Sequence, residues 1–289
     1  MNLLLAAAFV FIWGSAFNAA RVVAVEWPPL WGIAIRFAVV AVLLGAIWAW
    51  RRAPLPAAGD RGRLALLGVF GTGGYLGCAW VASAHVPSGL VALLSATAPL
   101  FVALGQRLQG EAVSPRAWAG LTLGWTGVAL LGLSRSLDGL ERAEAWGLGV
   151  ALLGALSHAA GLLAYAPARE RVDAWTANAG QTVVAAVTLL LVAGLLSGDP
   201  PPASASPALL LAMLWSCLVV GLLGYALFFV VMRRFPPATA ASLQLLAPPV
   251  AAVIGWALMG ERLGWGDLLG GAITLAGLAL LFRRERAPG

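Results

Sequence analysis

Ten long apolar stretches, separated by short polar segments, make up most of the 289-residue chain. Each stretch has about 20 residues, the length that an α-helix needs to cross a hydrocarbon core of roughly 30 Å. A backbone in lipid must satisfy its own hydrogen bonds, and these stretches are too long and too apolar for barrel strands. The pattern therefore predicts an all-α integral membrane protein with ten transmembrane helices, spans 1 to 10. The predicted spans are residues 3–24, 29–50, 64–84, 87–107, 115–134, 145–167, 174–196, 208–232, 237–259 and 265–282.

Composition and charge agree with a membrane protein. Hydrophobic residues make up 61% of the chain and charged residues 10%, whereas a soluble domain has roughly 25% charged residues. The net charge of +6 could indicate a nucleic-acid-binding protein, but the basic residues are all arginines, and most lie in short segments between spans. This distribution is typical of orientation in a membrane, so no nucleic-acid partner is expected.

The arginines are distributed unequally between the two sides of the membrane. If the N-terminus is cytoplasmic, 13 arginines lie in cytoplasmic segments and 4 on the opposite side. Because cytoplasmic loops carry the excess of positive residues, both termini are predicted to be cytoplasmic. The loops after spans 2, 4, 6 and 8 then face the cytoplasm.

The chain also contains an internal repeat of about half its length. Residues 95–99, which end in Ala-Pro, match residues 244–248, and the Gly-Glu pair at 110–111 matches the pair at 260–261. The halves are predicted as residues 1–140 and 141–289, with five spans each. An odd number of spans requires the second half to enter the membrane inverted. Inverted repeats are typical of transporters that alternate access around a central site. Gene duplication with symmetric packing alone is the other interpretation.

Two prolines, Pro99 and Pro248, lie near the middle of spans 4 and 9. A proline within a helix frees the carbonyl four residues earlier, which here belongs to Ser95 and to Gln244. Each half is thus predicted to place a bend and a polar side chain near the bilayer midplane, where transporter sites are built. The alternative is a pair of kinks that neighbouring helices absorb.

Ionisable residues are rare within the predicted spans. His158 lies near the middle of span 6, either as a functional group or as a neutral structural histidine. Arg36 in span 2 could hold a substrate carboxylate, but a structural role is the default interpretation. Glu111 and Glu261 stand at span ends and are interpreted as pinning loops. No Asp or Glu lies well inside a span, which argues against cationic substrates.

A small group of polar and aromatic residues lies deep in the spans. Together they would line a largely apolar cavity with a few hydrogen-bonding points, as a ligand with an apolar side chain and polar ends requires. For any single aromatic residue, packing is the alternative. The predicted substrate-binding residues are Trp13, Asn18, Tyr75, Ser95, His158, Tyr225 and Gln244, with Pro99 and Pro248 as hinges.

Four short motifs, in this order, resemble the EamA family of the drug/metabolite transporter superfamily. They are Trp-Gly-Ser at 13–15, Arg-Phe at 36–37, Ala-Pro at 98–99 with Gly-Glu at 110–111, and Ala-Pro at 247–248 with Gly-Glu-Arg at 260–262. The resemblance implies ten helices, a central cavity lined by spans 1, 3, 4, 6, 8 and 9, and export from the cytoplasm. Within the family, the chain is similar to the YddG-type exporters of aromatic and other neutral amino acids.

The expected function is therefore secondary transport of small neutral or zwitterionic metabolites, above all amino acids, out of the cell across a bacterial-type inner membrane. The alternatives are a nucleoside-like or drug-like substrate and, from a different class, a channel or membrane scaffold. A membrane enzyme would need a cluster of catalytic groups or metal ligands, and the sequence contains no such motif. We expect no cofactor, and as partners only the small-molecule substrate and the bilayer, with a monomer as the simplest assembly.

Overall fold

A computed structural model describes residues 3–83, 88–136, 145–202, 204–260 and 262–282. The described residues form helices joined by short loops and contain no strand. Ten of these helices are long and apolar enough to cross a membrane, which confirms the ten predicted spans. The proposed boundary between the halves at 140/141, Glu261 and the last seven residues lie outside the described residues.

Six spans are continuous α-helices, and four are interrupted. The continuous spans 1, 2, 5, 6, 7 and 10 occupy Leu3–Glu26, Pro29–Trp50, Pro115–Ser136, Ala145–Tyr165, Ala174–Leu196 and Trp265–Phe282. The interrupted spans are 3, 4, 8 and 9. All four belong to the six spans predicted to line the cavity, so the irregular backbone is concentrated where the site was expected.

Spans 4 and 9 are interrupted one turn before their prolines. Span 4 consists of helices Ser88–Ser95 and Ala98–Leu108, with Pro99 in the first turn of the second helix. Span 9 consists of helix Pro237–Ser242, the 3₁₀ turn Leu243–Leu246 and helix Ala247–Met259. Because a proline has no N–H and clashes with the preceding turn, the regular helix restarts just ahead of it.

Spans 3 and 8 each contain a π-helical segment. In span 3, helix Ala58–Leu66 leads into π-helix Leu67–Gly74 and then helix Tyr75–Ser83. In span 8, helix Pro207–Leu214 leads into π-helix Trp215–Gly224 and then helix Tyr225–Arg234. π-helical turns are rare and often mark functional sites. Each segment here ends directly before a tyrosine that was predicted to bind substrate.

Span 3 begins six residues earlier than the hydrophobic pattern predicted, at Ala58 instead of residue 64. Two polar residues of this extra turn and a half have partners on another part of the chain. Asp60 forms an ion pair with Arg171, and Arg63 donates to the Ala164 carbonyl at 3.0 Å. Tertiary contacts therefore extend the helix beyond the apolar run.

Spans 5 and 10 pack through glycines at close range. A Cβ atom on Gly127 would lie closer than 3.0 Å to the Gly270 carbonyl, and one on Gly120 would meet the Gly277 carbonyl. The order of these contacts shows that the two helices are antiparallel. Such close packing of small residues joins helices in lipid, where no hydrophobic force holds them together. A reciprocal contact of this kind is what an inverted repeat would produce; the inversion of the whole halves stays a prediction.

The substitution Gly127→Ala should destabilise the protein by about 1–3 kcal/mol, because the added methyl group forces spans 5 and 10 apart. We expect a lower melting temperature in detergent by light scattering or intrinsic fluorescence. Gly149→Ala in span 6 is the matched control, since nothing lies within 4 Å of its added Cβ. Equal melting of the two variants would show that the close glycine contact does not limit stability.

Candidate functional site

His158 and Tyr75 form the centre of the candidate site. Their rings, from spans 6 and 3, lie 4.6 Å apart between centroids and are tilted by 38°. The Tyr75 hydroxyl interacts with Ser95 of span 4, and the imidazole lies beside the side-chain amide of Gln244 of span 9. Ser95 and Gln244, the two polar residues next to the interrupted turns, thus meet the same pair of rings.

An aromatic cluster continues the site toward spans 1 and 8. Trp13 lies 5.0 Å from Tyr225 and 5.6 Å from Phe228 between ring centroids, and Phe37 meets Tyr225 edge-on at 6.0 Å. Tyr225 also lies close enough to Tyr75 for electrostatic interaction. The cluster and the His158–Tyr75 pair therefore form one series of neighbouring side chains.

Six of the seven predicted binding residues thus come together, one from each of spans 1, 3, 4, 6, 8 and 9. The seventh, Asn18, has a different contact. Its amide donates to the Ala251 carbonyl at 3.2 Å and so joins span 1 to span 9. Its amide nitrogen is already engaged in packing.

His158 is held in one orientation by the irregular backbone of span 3. The side chain is 6% exposed, and its Nδ1 is hydrogen-bonded to the Gly71 carbonyl within the π-helix. Because a carbonyl only accepts, Nδ1 carries the proton and the neutral ring keeps Nε2 as an acceptor. Among the described residues, Nε2 of His158 and Nε2 of Gln244 have no hydrogen-bond partner. The imidazole and the Gln244 amide nevertheless interact with each other, so this polar pair joins span 6 to span 9.

Sequence reasoning missed a buried polar network in span 7 that joins the two π-helices. Thr72 donates to Gln181 at 2.6 Å, Gln181 to Thr182 at 2.8 Å, and Thr182 to Asn178 at 3.0 Å. Asn178 then donates to the Gly221 carbonyl at 2.9 Å. Asn178 and Gln181 are fully buried. The amides at 178 and 181 inside an apolar run were the available signal.

The pairing of the two tyrosines was also readable from the sequence. Gly71, Gly74 and Tyr75 recur as Gly221, Gly224 and Tyr225, each 150 residues later. The recurrence is what the predicted repeat would produce in spans 3 and 8. The residues between the glycines, Thr-Gly and Leu-Leu, differ in polarity and obscure it.

Arg36 lies beside this series of side chains. Its guanidinium stands 5.3 Å from the ring centroid of Phe37 and close to Tyr225. Two narrow gaps border Arg36, one without room for a water molecule and the other with about 10 Å³ of space. One is bordered by Phe37, Val40, Thr182, Gly221 and Tyr225, and the other by Ala20, Val23, Gly32, Ile33, Trp80, Met213 and Ser216.

Polar contacts join the two halves at the end of the bundle that carries the loops after spans 2, 4, 6 and 8. Arg171 binds the Asp60 carboxylate through two nitrogens, at 2.5 and 3.2 Å. Gln106 accepts from the Ala238 N–H at 3.0 Å and donates to Glu111 at 2.5 Å. Glu111 therefore pins the end of span 4, next to its contact with span 9.

Asp173 caps the start of span 7 at the same end. Partial burial would raise its pKa, but hydrogen bonds from the backbone of Thr176 and Trp175 and the charge of Arg51 lower the pKa overall. The cap therefore stabilises the helix at neutral pH and is lost only as the pH falls below the usual aspartate value of 3.8.

Comparison with known proteins identifies the family. A sequence model of the EamA-like transporter family matches residues 1–133 and 145–283. The chain belongs to the EamA-like transporter family. It is 29% identical over 257 residues to the uncharacterized inner membrane transporter YedA of Escherichia coli strain K12, which covers 89% of this chain and 82% of that protein. The same identity holds for YedA of the O157:H7 strain.

A solved crystal structure shares the fold of this EamA-like protein, with a TM-score of 0.74 at 20% identity. The match covers 96% of this chain and 95% of the other. These findings establish a multi-pass inner-membrane protein of the drug/metabolite transporter superfamily. The similarity to YddG-type exporters in particular stays a prediction.

Replacing Gln181 by Leu should destabilise this EamA-like protein by about 1–3 kcal/mol, because Thr72 and Thr182 lose a buried partner. Thermal unfolding in detergent measures the effect. Thr126→Val is the control, since that exposed hydroxyl bonds only to its own helix at 2.9 Å. If both variants melt alike, the span 7 network does not hold the π-helices.

Proposed function

We propose that this EamA-like protein is a secondary transporter that exports small neutral or zwitterionic metabolites, chiefly aromatic and other neutral amino acids. The observation that carries the proposal is the series of six neighbouring side chains drawn from spans 1, 3, 4, 6, 8 and 9. Sites for small molecules are mostly apolar, with a few converging polar groups that fix orientation.

The composition of this series suits an amphiphilic ligand. Trp13, Tyr225 and Phe228 offer aromatic surface, and the nearby His158 and Gln244 offer a pair of interacting polar groups that a ligand could join. Among the residues that the structure describes, none of the side chains in the series is a carboxylate that would favour a cation. A molecule with an aromatic or aliphatic side chain and a polar backbone matches these surfaces.

The interrupted helices supply a mechanism for alternating access. Spans 4 and 9 break beside Ser95 and Gln244, so a change of angle at either break moves a binding residue. At the end of the bundle predicted to be cytoplasmic, the Asp60–Arg171 pair and the Gln106–Ala238 bond join the two halves. Opening toward the cytoplasm would require these bonds to separate, and opening toward the other side would retain them.

Transport by the purified protein in liposomes tests the proposal. We expect saturable uptake of labelled phenylalanine and leucine, and counter-flow when the liposomes are preloaded with the unlabelled amino acid. Both follow from a single site that is exposed to one side at a time. The control is liposomes without protein.

The outcomes separate the proposal from its alternatives. Flux that rises linearly with concentration and shows no counter-flow would indicate a channel. If a folded protein moves no amino acid but exchanges nucleosides or drug-like compounds, the substrate class proposed here is wrong. If it moves none of these classes, the scaffold interpretation replaces transport.

His158 is the candidate for proton coupling, because it is the one ionisable side chain in the series whose ordinary pKa lies near neutrality. His158→Ala should abolish the acceleration of uptake by a pH gradient. His158→Asn keeps an N–H donor for the Gly71 carbonyl but cannot carry a proton. We expect it to transport without responding to the gradient.

Uptake at matched and unmatched pH, measured side by side for both variants and the wild type, distinguishes the two roles. If His158→Asn still responds to the gradient as the wild type does, His158 is a structural residue and carries no proton.

A further inference from the structure

Arg36 is a charged side chain within a membrane span, and such residues are costly unless they are paired or functional. It lies in span 2, which is otherwise apolar over Pro29–Trp50. Burial of a guanidinium without a counter-ion loses the hydration of its charge, so the surrounding protein normally supplies carboxylates or carbonyls. The contacts of Arg36 therefore decide which role it has.

Those contacts lack a partner for the charge. Nε of Arg36 is buried without a hydrogen bond, whereas the residue as a whole is half-buried. Among the described residues, no carboxylate forms an ion pair with it. The groups closest to it electrostatically are Tyr225 and Cys217, both uncharged at neutral pH. The ring of Phe37 at 5.3 Å provides a cation–π contact, which leaves the N–H donors available.

Other arginines of the same protein show what a structural role looks like here. Arg63 donates to the Ala164 carbonyl at 3.0 Å, and Arg116 donates to the Leu280 carbonyl at 2.8 Å. Each thereby joins its helix to a carbonyl of another span. Arg36 makes no such bond to the described residues, so carbonyl binding of this kind does not account for it.

The position of Arg36 connects it to the binding site. Arg36 and Tyr225 border the same narrow gap, which has no room for a ligand in this conformation. Tyr225 in turn contacts Trp13 and lies near Tyr75. Tyr225 is therefore the residue that the aromatic cluster and the guanidinium share, and a ligand that separates these side chains would meet both.

We propose that Arg36 binds the carboxylate of the transported molecule, so that the substrate class is a small carboxylate-bearing compound with an apolar side chain. This inference rests on the proposed function, since it assigns one end of the same site. A guanidinium binds a carboxylate through two parallel N–H···O bonds, which an amide or an amine cannot form. Zwitterionic amino acids meet this requirement, and neutral or cationic compounds of the same shape do not.

Binding of phenylacetate and phenylacetamide to the purified protein tests the assignment, because the two probes share a shape and differ in charge. Calorimetry or ligand-induced melting shifts should show that the wild type prefers phenylacetate. In Arg36→Gln, the dissociation constant for phenylacetate should rise about tenfold or more, since charge-assisted bonds are lost. The value for phenylacetamide should stay nearly constant.

Two further variants keep the test decisive. Arg36→Lys retains the charge and the folding behaviour but loses the bidentate geometry, so it should bind phenylacetate several-fold more weakly than the wild type. Arg107→Gln is the matched control, because it removes an exposed arginine at the end of span 4. We expect it to keep the wild-type preference.

A wild type that binds both probes equally, or an Arg36→Gln variant that keeps the preference, overturns the assignment. Because these measurements require no transport, they separate the two proposals. If the wild type takes up no amino acid but prefers phenylacetate to phenylacetamide in a way that depends on Arg36, only the proposed function is wrong. Amino-acid uptake without that preference would remove only the anion site.

Discussion

The requirement that every backbone polar group find a partner within the protein governs this structure. Lipid offers no hydrogen bonds, so a departure from regular helix must be compensated by a neighbouring side chain. His158 and Ser157 of span 6 bond the carbonyls of Gly71 and Phe70 in the first π-helix. Asn178 of span 7 bonds Gly221 in the second. The irregular segments are possible because polar residues of other spans complete them.

The same compensation builds the candidate site. The donor that satisfies Gly71 is the imidazole that faces Gln244, so one residue both stabilises the π-helix and presents a polar ring nitrogen to span 9. Close packing makes these short bonds possible. Gly71 and Gly161 bring spans 3 and 6 so near that a Cβ on Gly161 would lie closer than 3.0 Å to the Gly71 backbone. Small residues and polar side chains therefore act together.

Arg36 stands apart from this scheme. The amides of span 7 have found partners within the protein, whereas the guanidinium has an aromatic ring and no described counter-ion. In a transporter, a polar group without a partner in the protein is available to form hydrogen bonds with the substrate. The interrupted turns of spans 4 and 9 and the cross-half bonds at one end supply the movable parts around it.

The sequence by itself determined the ten spans and the interruptions beside Pro99 and Pro248, because apolar length and the geometry of proline are local properties. It also indicated the family, through short motifs that can be read along the chain. It also named six residues that the fold brings together. Only the tertiary structure decided the start of span 3 at Ala58, the π-helices, the span 7 network and the commitment of the Asn18 amide to Ala251. Each of these depends on hydrogen bonds between spans far apart in the chain, and hydrophobic periodicity contains no information about such partners.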